Sequence, residues 1–142
     1  RFEAGTQMVA QAVALGVAAD YLAELGMANV AAHEHHVAGR LLEAVASVPG
    51  VRLIGPHDAR DRLATVSFVV DGVHAHDVGA VLDDKGVAVR VGHHCAQPVH
   101  RRFGIAATSR ASAGVYTTDD EVEAFREALS GVRAFFGLEG DR

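Results

Sequence analysis

The sequence predicts an α/β fold in which a short β-sheet is covered by helices on one face. Segments with apolar residues at helical spacing alternate with short runs rich in β-branched residues. Few strands are predicted and the helices between them are short, which is typical of a layered α/β sandwich. No internal repeat and no low-complexity segment interrupts this order.

The chain begins with two predicted helices. Residues 7–25 are rich in alanine and apolar on most sides, so we expect a buried helix that ends at Gly26. Because this helix lacks a clear polar face, we expect it to pack against a part of the protein outside this chain. A second helix is predicted at 28–48, where apolar residues recur at helical spacing until Pro49-Gly50 stops it.

Three strands and a helix follow. Residues 51–54 form a short predicted strand that Gly55-Pro56 closes, and 64–70 form a strand rich in β-branched residues. A helix is predicted at 75–84, where the apolar residues are spaced to pack on one side. A third strand is predicted at 87–91, and the following glycine breaks it.

The last part of the chain predicts a short helix after Pro98, a fourth strand at 109–116 and a final helix. Thr118 is placed to cap the final helix while Glu121 closes a capping box. The helix then carries one apolar stripe that should face the core, formed by Val122, Phe125, Leu129, Val132 and Phe136.

Composition limits the classes to which the protein can belong. The 142 residues are 49% hydrophobic, which indicates a globular domain with a real core, and the net charge of −5 argues against nucleic-acid binding. We find no membrane-spanning run and no signal segment, and the single cysteine fits a reducing cytosol. Since the chain begins with Arg1 and not Met, we interpret it as a piece of a longer protein.

The charges are distributed unevenly along the chain. No acidic residue lies between Asp84 and Asp119, although this segment carries five basic residues and three histidines. Such a stretch is unlike an ordinary solvated face, which mixes both signs. It indicates a site for anions or thiolates.

Cys95 lies in the middle of this segment, in Arg90-Val91-Gly92-His93-His94-Cys95-Ala96-Gln97-Pro98. A cysteine is nucleophilic as the thiolate, and nearby cations or a helix start favour that form. From the residues alone three interpretations stay open: a reactive thiol, a metal ligand with the histidines, or an inert thiol. The zinc interpretation is weakened because the chain offers no second cysteine.

Arg110 and Lys85 bear on the kind of chemistry. An arginine on a strand between small residues offers a planar, bidentate fork for a carboxylate, although a surface ion pair is the plainer interpretation. Lys85 is the only lysine, and Asp-Asp-Lys-Gly at a helix end is a solvated position. It is therefore a poor candidate for a Schiff-base lysine, which is normally desolvated.

The segment His74-Ala75-His76-Asp77 begins the third predicted helix. Capping and exposed polar groups are the plain interpretation. A metal contact, a partner contact or mutual orientation of His76 and Asp77 are the functional alternatives.

Together these segments resemble one family, the SufS-type (type II) cysteine desulfurases. The resemblance is carried by four segments in the same order: Arg-Phe-Glu-Ala-Gly-Thr at 1–6, His-Ala-His-Asp at 74–77, the Cys95 block at 90–98 and Arg-Ala-Ser at 110–112. It implies an aspartate aminotransferase-like, fold-type-I pyridoxal 5'-phosphate (PLP) enzyme, of which this chain forms mostly the small C-terminal domain. Residues 1–25 would then pack on the absent large domain, and 26–142 would form the small domain with the Cys95 loop.

The resemblance also implies an activity, the removal of sulfur from L-cysteine to give alanine and a persulfide. Cys95 matches the nucleophile, Arg110 the arginine that binds the substrate carboxylate, and Arg90 a second arginine of the active site. His93 and His94 are expected to support the cysteine, without an assigned proton transfer. Gly5 and Thr6 match the segment that reaches the PLP phosphate of the partner subunit in a homodimer. The PLP lysine would lie outside this chain, which alone should be inactive.

The partners implied are a cytoplasmic sulfur acceptor of SufU or SufE type in iron–sulfur cluster assembly. His76 matches a histidine that can ligate the zinc of a SufU-type partner, while no metal is expected in the enzyme itself. The chain departs from the family at Gln7-Met8 and at Ser112-Ala113-Gly114, where the substrate wall would be looser. The alternatives are a selenocysteine lyase or cysteine-sulfinate desulfinase on the same scaffold, or a stand-alone zinc-binding or acceptor-docking domain.

Overall fold

A computed structural model describes Phe2 and residues 4–138 of the chain. It forms two compact units, Arg1–His33 and Glu34–Arg142. The elements are, in chain order, α1 (Val9–Leu25), α2 (Met27–Ser47), β1 (Val51–Ile54), β2 (Thr65–Val70), α3 (Ala75–Asp84), β3 (Arg90–Gly92), α4 (Gln97–Phe103), β4 (Thr108–Ser112), α5 (Asp119–Ser130) and α6 (Val132–Phe135).

The four strands form one antiparallel sheet in the order β1-β2-β4-β3. This confirms the predicted α/β class and the short sheet covered by helices. The order places β4 in the interior of the sheet, between β2 and β3, although it is the last strand in the chain. A residue of β4 is therefore paired on both sides, which holds its side chain firmly.

Two predicted strands have different bounds in the structure. The third was expected at 87–91 but runs from Arg90 to Gly92, because Val87 still donates its N–H to the Leu82 carbonyl in the turn that leaves α3. The fourth was expected at 109–116 but ends at Ser112. Beyond it, the N–H of Thr117 donates to the Gly114 carbonyl in a turn that leads to α5.

The hydrophobic core lies on one face of the sheet. Alternate residues of β2, Val66, Phe68 and Val70, are buried against apolar side chains of α2, α3 and α5, and the rings of Phe68 and Phe125 lie 5.8 Å apart. Burying one such aromatic side chain contributes about 1.5–3 kcal/mol. The residues between them in β2, Thr65, Ser67 and Val69, are half-buried on the opposite face of the sheet, here called the open face.

The final helix confirms the predicted cap but not its predicted length. The N–H of Glu121 donates to Thr118 Oγ1 at 3.3 Å, and the N–H of Thr118 donates to a Glu121 carboxylate oxygen at 2.8 Å. The helix breaks at Gly131, so the expected continuous stripe to Phe136 is wrong at its end. Phe136 is 40% exposed, whereas Val132 just after the break is fully buried.

The first helix, α1, has no buried residue. Its apolar side chains, Val9, Val13, Leu15 and Val17 among them, are each more than half exposed. The expected burial is therefore not provided within the described part of the chain. Packing against another part of the protein stays a prediction.

None of the helices in the described residues is by itself long and apolar enough to cross a bilayer. Only α1 and α2 taken together, as a bent pair, meet the requirements of length and composition.

Candidate active site around Cys95

One row of side chains crosses the open face of the sheet. In the strand register, Ile54 pairs with Ser67, Ser67 with Arg110, and Arg110 with Arg90. Directly opposed residues of antiparallel strands point to the same face, so both guanidinium side chains lie on the open face. The sequence proposed Arg90 and Arg110 as site residues, and the structure brings them together as cross-strand partners.

The two arginines create a local excess of positive charge. Like charges directly opposed on a sheet are destabilising unless an anion lies between or beside them. Nε of Arg110 is buried and has no hydrogen-bond partner within the described residues. An orphaned guanidinium N–H beside a second arginine fits a carboxylate, which binds such forks in a bidentate manner.

Cys95 is presented on a tight turn directly after β3. The N–H of Ala96 donates to the His93 carbonyl at 2.8 Å, and the two central residues of the turn, His94 and Cys95, have φ of 53° and 59°. Non-glycine residues rarely adopt positive φ, and each such residue is strained by about 1–2 kcal/mol. Gly92, with φ of 114°, supplies the backbone freedom just before the turn.

The turn exposes the sulfur of Cys95 and places a cation against it. Cys95 is a free, exposed cysteine, and Arg90 Nη2 donates to its Sγ at 3.9 Å. A cationic neighbour and solvent access are the features that reactive cysteines share. This geometry favours the reactive-thiol interpretation over an inert buried thiol.

The two histidines before Cys95 have different environments. His93 is exposed, and its Nε2 donates to the Ala106 carbonyl at 2.8 Å. His94 is half-buried, with Nε2 at 2.9 Å from Thr108 Oγ1 and with Nδ1 buried and unpartnered within the described residues. Burial lowers the pKa of His94, as do the nearby charge of Arg110 and, more weakly, that of Arg90, while a hydrogen bond with the Thr108 backbone opposes this. His94 is therefore neutral near pH 7.

A cavity of about 450 Å³ lies beside the turn on the open face. This volume is within the range of small-molecule sites, about 300–1,000 Å³. Cys95 lies between two residues that line the cavity, His94 and Ala96. The other lining residues combine polar groups of the sheet with an apolar wall and are Ile54, Gly55, Pro56, Ser67, Val99, His100, Phe103, Ile105, Thr108 and Arg110.

Gly5 and Thr6 belong to the unit of residues 1–33 and are exposed. Gly5 has φ of 89°, which a residue with a side chain would adopt only under strain. Arg1 and Glu3 of the same sequence motif lie outside the described residues. The role predicted for Gly5 and Thr6 concerns a partner subunit, and it stays a prediction.

His76 is exposed in the first turn of α3. Its N–H donates to Nδ1 of His74, the N-cap of the helix, at 3.3 Å, and the two rings stack 5.3 Å apart. Within the described ranges, no group of three or more His, Cys, Asp or Glu side chains could hold a metal ion. The stand-alone zinc-binding alternative would use His76, His93, His94 and Cys95, and the described residues do not bring these four together as a metal site.

Sequence reasoning missed three residues of the site, Ser67, His100 and Thr108. His100 was noted only as one of the three histidines in the segment without acidic residues, yet it is 5% exposed and contacts Thr108. The signal that could have found Ser67 and Thr108 is strand alternation. Thr108 lies two residues from Arg110 and so shares its face, and Ser67 is, with Thr65, one of two polar residues on the open face of the otherwise apolar strand β2.

The chain was compared with known proteins. The family model for aminotransferase class-V matches residues 1–125. The chain is 55% identical over 139 residues to probable cysteine desulfurase 2 of Mycobacterium leprae and 52% identical over 137 residues to a probable cysteine desulfurase of Streptomyces coelicolor. These matches cover 98% and 96% of the chain but 33% of each relative, so the chain spans about one third of their length.

Two solved structures are similar in fold as well. The apo structure of a cysteine desulfurase from Thermococcus onnurineus has a TM-score of 0.85 and 39% identity, over 93% of this chain and 33% of that one. The cysteine desulfurase CsdA of Escherichia coli, in its S-sulfonic acid form, has a TM-score of 0.82 and 31% identity, over 94% and 32%.

Proposed function

The chain belongs to the aminotransferase class-V family, and from that membership we propose that it is part of a SufS-type, PLP-dependent cysteine desulfurase. Relatives that are 52–55% identical carry the name cysteine desulfurase. The observation that carries the proposal is local: Arg90 Nη2 donates to Cys95 Sγ at 3.9 Å and is paired across the sheet with Arg110. A nucleophilic thiol beside a carboxylate-binding fork is what the removal of sulfur from an amino acid requires.

In this proposal the thiolate of Cys95 attacks the sulfur of bound L-cysteine. The new S–S bond forms while the substrate C–S bond breaks, and its electron pair stays with the substrate carbon, which takes up a proton to become alanine. The sulfur remains on Cys95 as a persulfide. Arg110 binds the substrate carboxylate and Arg90 faces the reacting thiol, while His93 and His94 hold the turn that carries it.

PLP, when bound, supplies an electron sink for the substrate carbon that carries the amino group. The chain's own residues fit only part of such a site. Lys85 does not fit the covalent attachment, because it is 63% exposed at the end of α3 and lies 3.9 Å from the Asp84 carboxylate. We therefore place the Schiff-base lysine in the remaining two thirds of the protein. Gly5 and Thr6 would reach the cofactor phosphate of the partner in a homodimer, a role suited to a hydroxyl and free backbone N–H groups.

The persulfide must leave by transfer to an acceptor. We propose a cytoplasmic acceptor of SufU or SufE type that feeds iron–sulfur cluster assembly, with His76 as a zinc ligand toward a SufU-type partner. Two observations support His76 in this role: it is exposed, and both its ring and that of His74 lie at the start of α3. A ligand presented at the surface suits a metal that the partner brings.

The test uses the whole protein, purified and incubated with L-cysteine. We expect a visible absorbance band from bound PLP, release of alanine, and a gain of one sulfur on the peptide that contains Cys95, reversed by a thiol reductant. Cys95→Ser should keep the absorbance band and lose the sulfur. Absence of both the band and alanine from the wild-type protein would contradict the proposal, and turnover of selenocysteine or cysteine sulfinate alone would favour the alternative lyase or desulfinase.

A further inference from the structure

Thr108 joins two histidines on the open face of the sheet. Its Oγ1 lies 2.9 Å from Nε2 of His94 and 3.1 Å from Nε2 of His100. Nδ1 of His100 in turn lies 3.1 Å from the carbonyl oxygen of Ala96. Thr108 is 1% exposed and His100 is 5% exposed, so water does not compete for these bonds.

The donors in this chain of hydrogen bonds follow from its last member. A carbonyl oxygen only accepts, so Nδ1 of His100 carries a proton and donates to Ala96. In a neutral imidazole the other nitrogen then accepts a hydrogen bond, so the hydroxyl of Thr108 donates to Nε2 of His100. Because a hydroxyl has one proton, Thr108 can only accept from His94, whose proton is therefore on Nε2.

This assignment requires that His100 be neutral. A buried imidazolium is costly without a carboxylate, and within the described part of the chain no carboxylate makes a hydrogen bond or ion pair with the His100 ring. Among the described residues, the ring of His100 makes hydrogen bonds only to the Ala96 carbonyl and to Thr108 Oγ1. The resulting tautomer leaves Nδ1 of His94 without a proton. This agrees with the position of Nδ1, which is buried and has no acceptor within the described residues to which an N–H could donate.

The chain of hydrogen bonds closes a ring around Cys95. It starts on His94, the residue before the cysteine, and ends on Ala96, the residue after it. Its middle member, Thr108, lies in β4 beside the strand that leads into the turn and is the cross-strand partner of Gly92. Strained backbone such as the positive φ of His94 and Cys95 persists only where the surroundings fix it.

We propose that Thr108 and His100 are positioning residues for Cys95, which hold its turn toward Arg90 and fix His94 as the tautomer protonated on Nε2. This role rests on the proposed function, since positioning Cys95 affects catalysis only where Cys95 is the reacting thiol. The hydrogen bonds themselves do not depend on that function. His94 is then a neutral support, and Arg90 is the cation that faces the sulfur.

Three variants of the whole protein test the role. Thr108→Val keeps the shape and removes the hydroxyl, Thr108→Ser keeps the hydroxyl, and Thr65→Val is the matched control. Thr65 is on the same face in β2, and its hydroxyl makes no hydrogen bond within the described part of the chain. The rate at which iodoacetamide alkylates Cys95 is followed by mass spectrometry of its peptide. The ¹⁵N resonances of labelled histidine report the tautomer of His94, assigned by their loss in His94→Gln.

We expect Nε2-protonated His94 in the wild type. Thr108→Val should mix the tautomers, slow alkylation by about threefold to tenfold and lower kcat for alanine release with KM within about twofold. Thr108→Ser should restore these values and Thr65→Val should not change them. A wild-type His94 protonated on Nδ1, or a Thr108→Val protein that matches Thr65→Val, overturns the proposal.

The wild-type spectrum decides the tautomer even if Thr108→Val does not fold. It also separates this proposal from the function on which it rests. A wild-type protein that releases no alanine contradicts the desulfurase proposal, whereas the spectrum and the alkylation rates still report on the chain of hydrogen bonds.

Discussion

Arg90 and Arg110 are direct cross-strand partners in β3 and β4, so two cations lie side by side on the open face of the sheet. Their contacts there are different. Arg90 contacts Cys95 Sγ, while Nε of Arg110 is buried and without a partner in the described residues. The geometry therefore separates an arginine that contacts the thiol from one whose Nε has no partner in the described residues, so the roles proposed for the two can be tested independently.

Arg110 should control substrate binding. Arg110→Lys removes the planar fork but keeps the charge, so we expect KM for L-cysteine to rise about tenfold or more, with alkylation of Cys95 little changed. Steady-state kinetics of the whole protein measure this. Arg52→Lys is the matched control, since Arg52 is an exposed strand arginine outside the row, and an equal rise in KM there would count against the assignment.

Arg90 should control the thiol. A unit charge at about 4 Å in a water-like medium contributes about 1 kcal/mol, so Arg90→Gln should slow iodoacetamide alkylation of Cys95 near pH 7 by about fivefold. The rates are read from the mass of the Cys95 peptide over time. Arg101→Gln provides the comparison, because Arg101 is exposed on α4 and no hydrogen bond or ion pair joins it to Cys95 within the described chain. Equal slowing in both variants would contradict a specific role for Arg90.

His94 should make the protein less stable in acid. Burial lowers its folded pKa below the ordinary value of 6.5, so between the two pKa values the unfolded state binds a proton that the folded state does not. Stability therefore falls as pH falls from 6.5 toward the folded pKa, and is unaffected by this group above about pH 7.5. From pH 7.5 to 5.5 the wild-type melting temperature should drop roughly 1–3 °C more than that of His94→Gln.

The control for this pH dependence is His57→Gln, a change at an exposed loop histidine. The melting temperature of this variant should fall by as much as that of the wild type over the same pH interval. If His94→Gln also follows the wild type, burial of His94 does not govern acid stability.

The turn geometry predicts an unusual order of stability at Cys95. Its φ of 59° suits glycine better than any residue with a side chain, so Cys95→Gly should be more stable than Cys95→Ala by up to about 1 kcal/mol. At most positions with negative φ, glycine is the less stable of the two. Melting temperatures of the two inactive variants measure the difference, and a more stable alanine variant would show that the turn has another conformation.

The capping box should hold the first turn of α5. Thr118→Ala removes the hydrogen bond from the Glu121 N–H to Thr118 Oγ1. Because losing an N-cap side chain costs about 1 kcal/mol, amide exchange at Glu121 and Val122 should be about fivefold faster. Hydrogen exchange resolved by mass spectrometry or NMR reads this locally. Thr118→Ser keeps the hydroxyl and should exchange at the wild-type rate, so equal acceleration in both variants would argue against the cap.

Much of the fold could be predicted from the sequence because its signals are local. Helix α3 was placed at its observed bounds from spacing and turn residues, and the Thr118 cap was found from a pattern four residues long. The ends of β3 and β4 could not be predicted, since a strand ends where its partner ends. The break of the last helix at Gly131 was missed because the apolar stripe continues through it.

The site was predicted only as far as its residues are neighbours in sequence. Cys95, His94 and Arg90 lie in one segment, and the resemblance marked Arg110. The pairing of Arg90 with Arg110 depends on sheet register, and the contact of Thr108 with His94 joins residues fourteen positions apart. Such contacts arise from tertiary structure, which no local spacing encodes.

The alternation along β4 has a consequence for how this segment can evolve. Thr108 and Arg110 line the cavity on the open face, while Ser109 and Ala111 face the helices and are buried. A one-residue insertion or deletion inside β4 would exchange the two faces, turning the guanidinium of Arg110 into the apolar core. Divergent members of such a lineage should therefore vary in the composition of β4 and keep its length, with gains and losses of residues confined to the loops on either side.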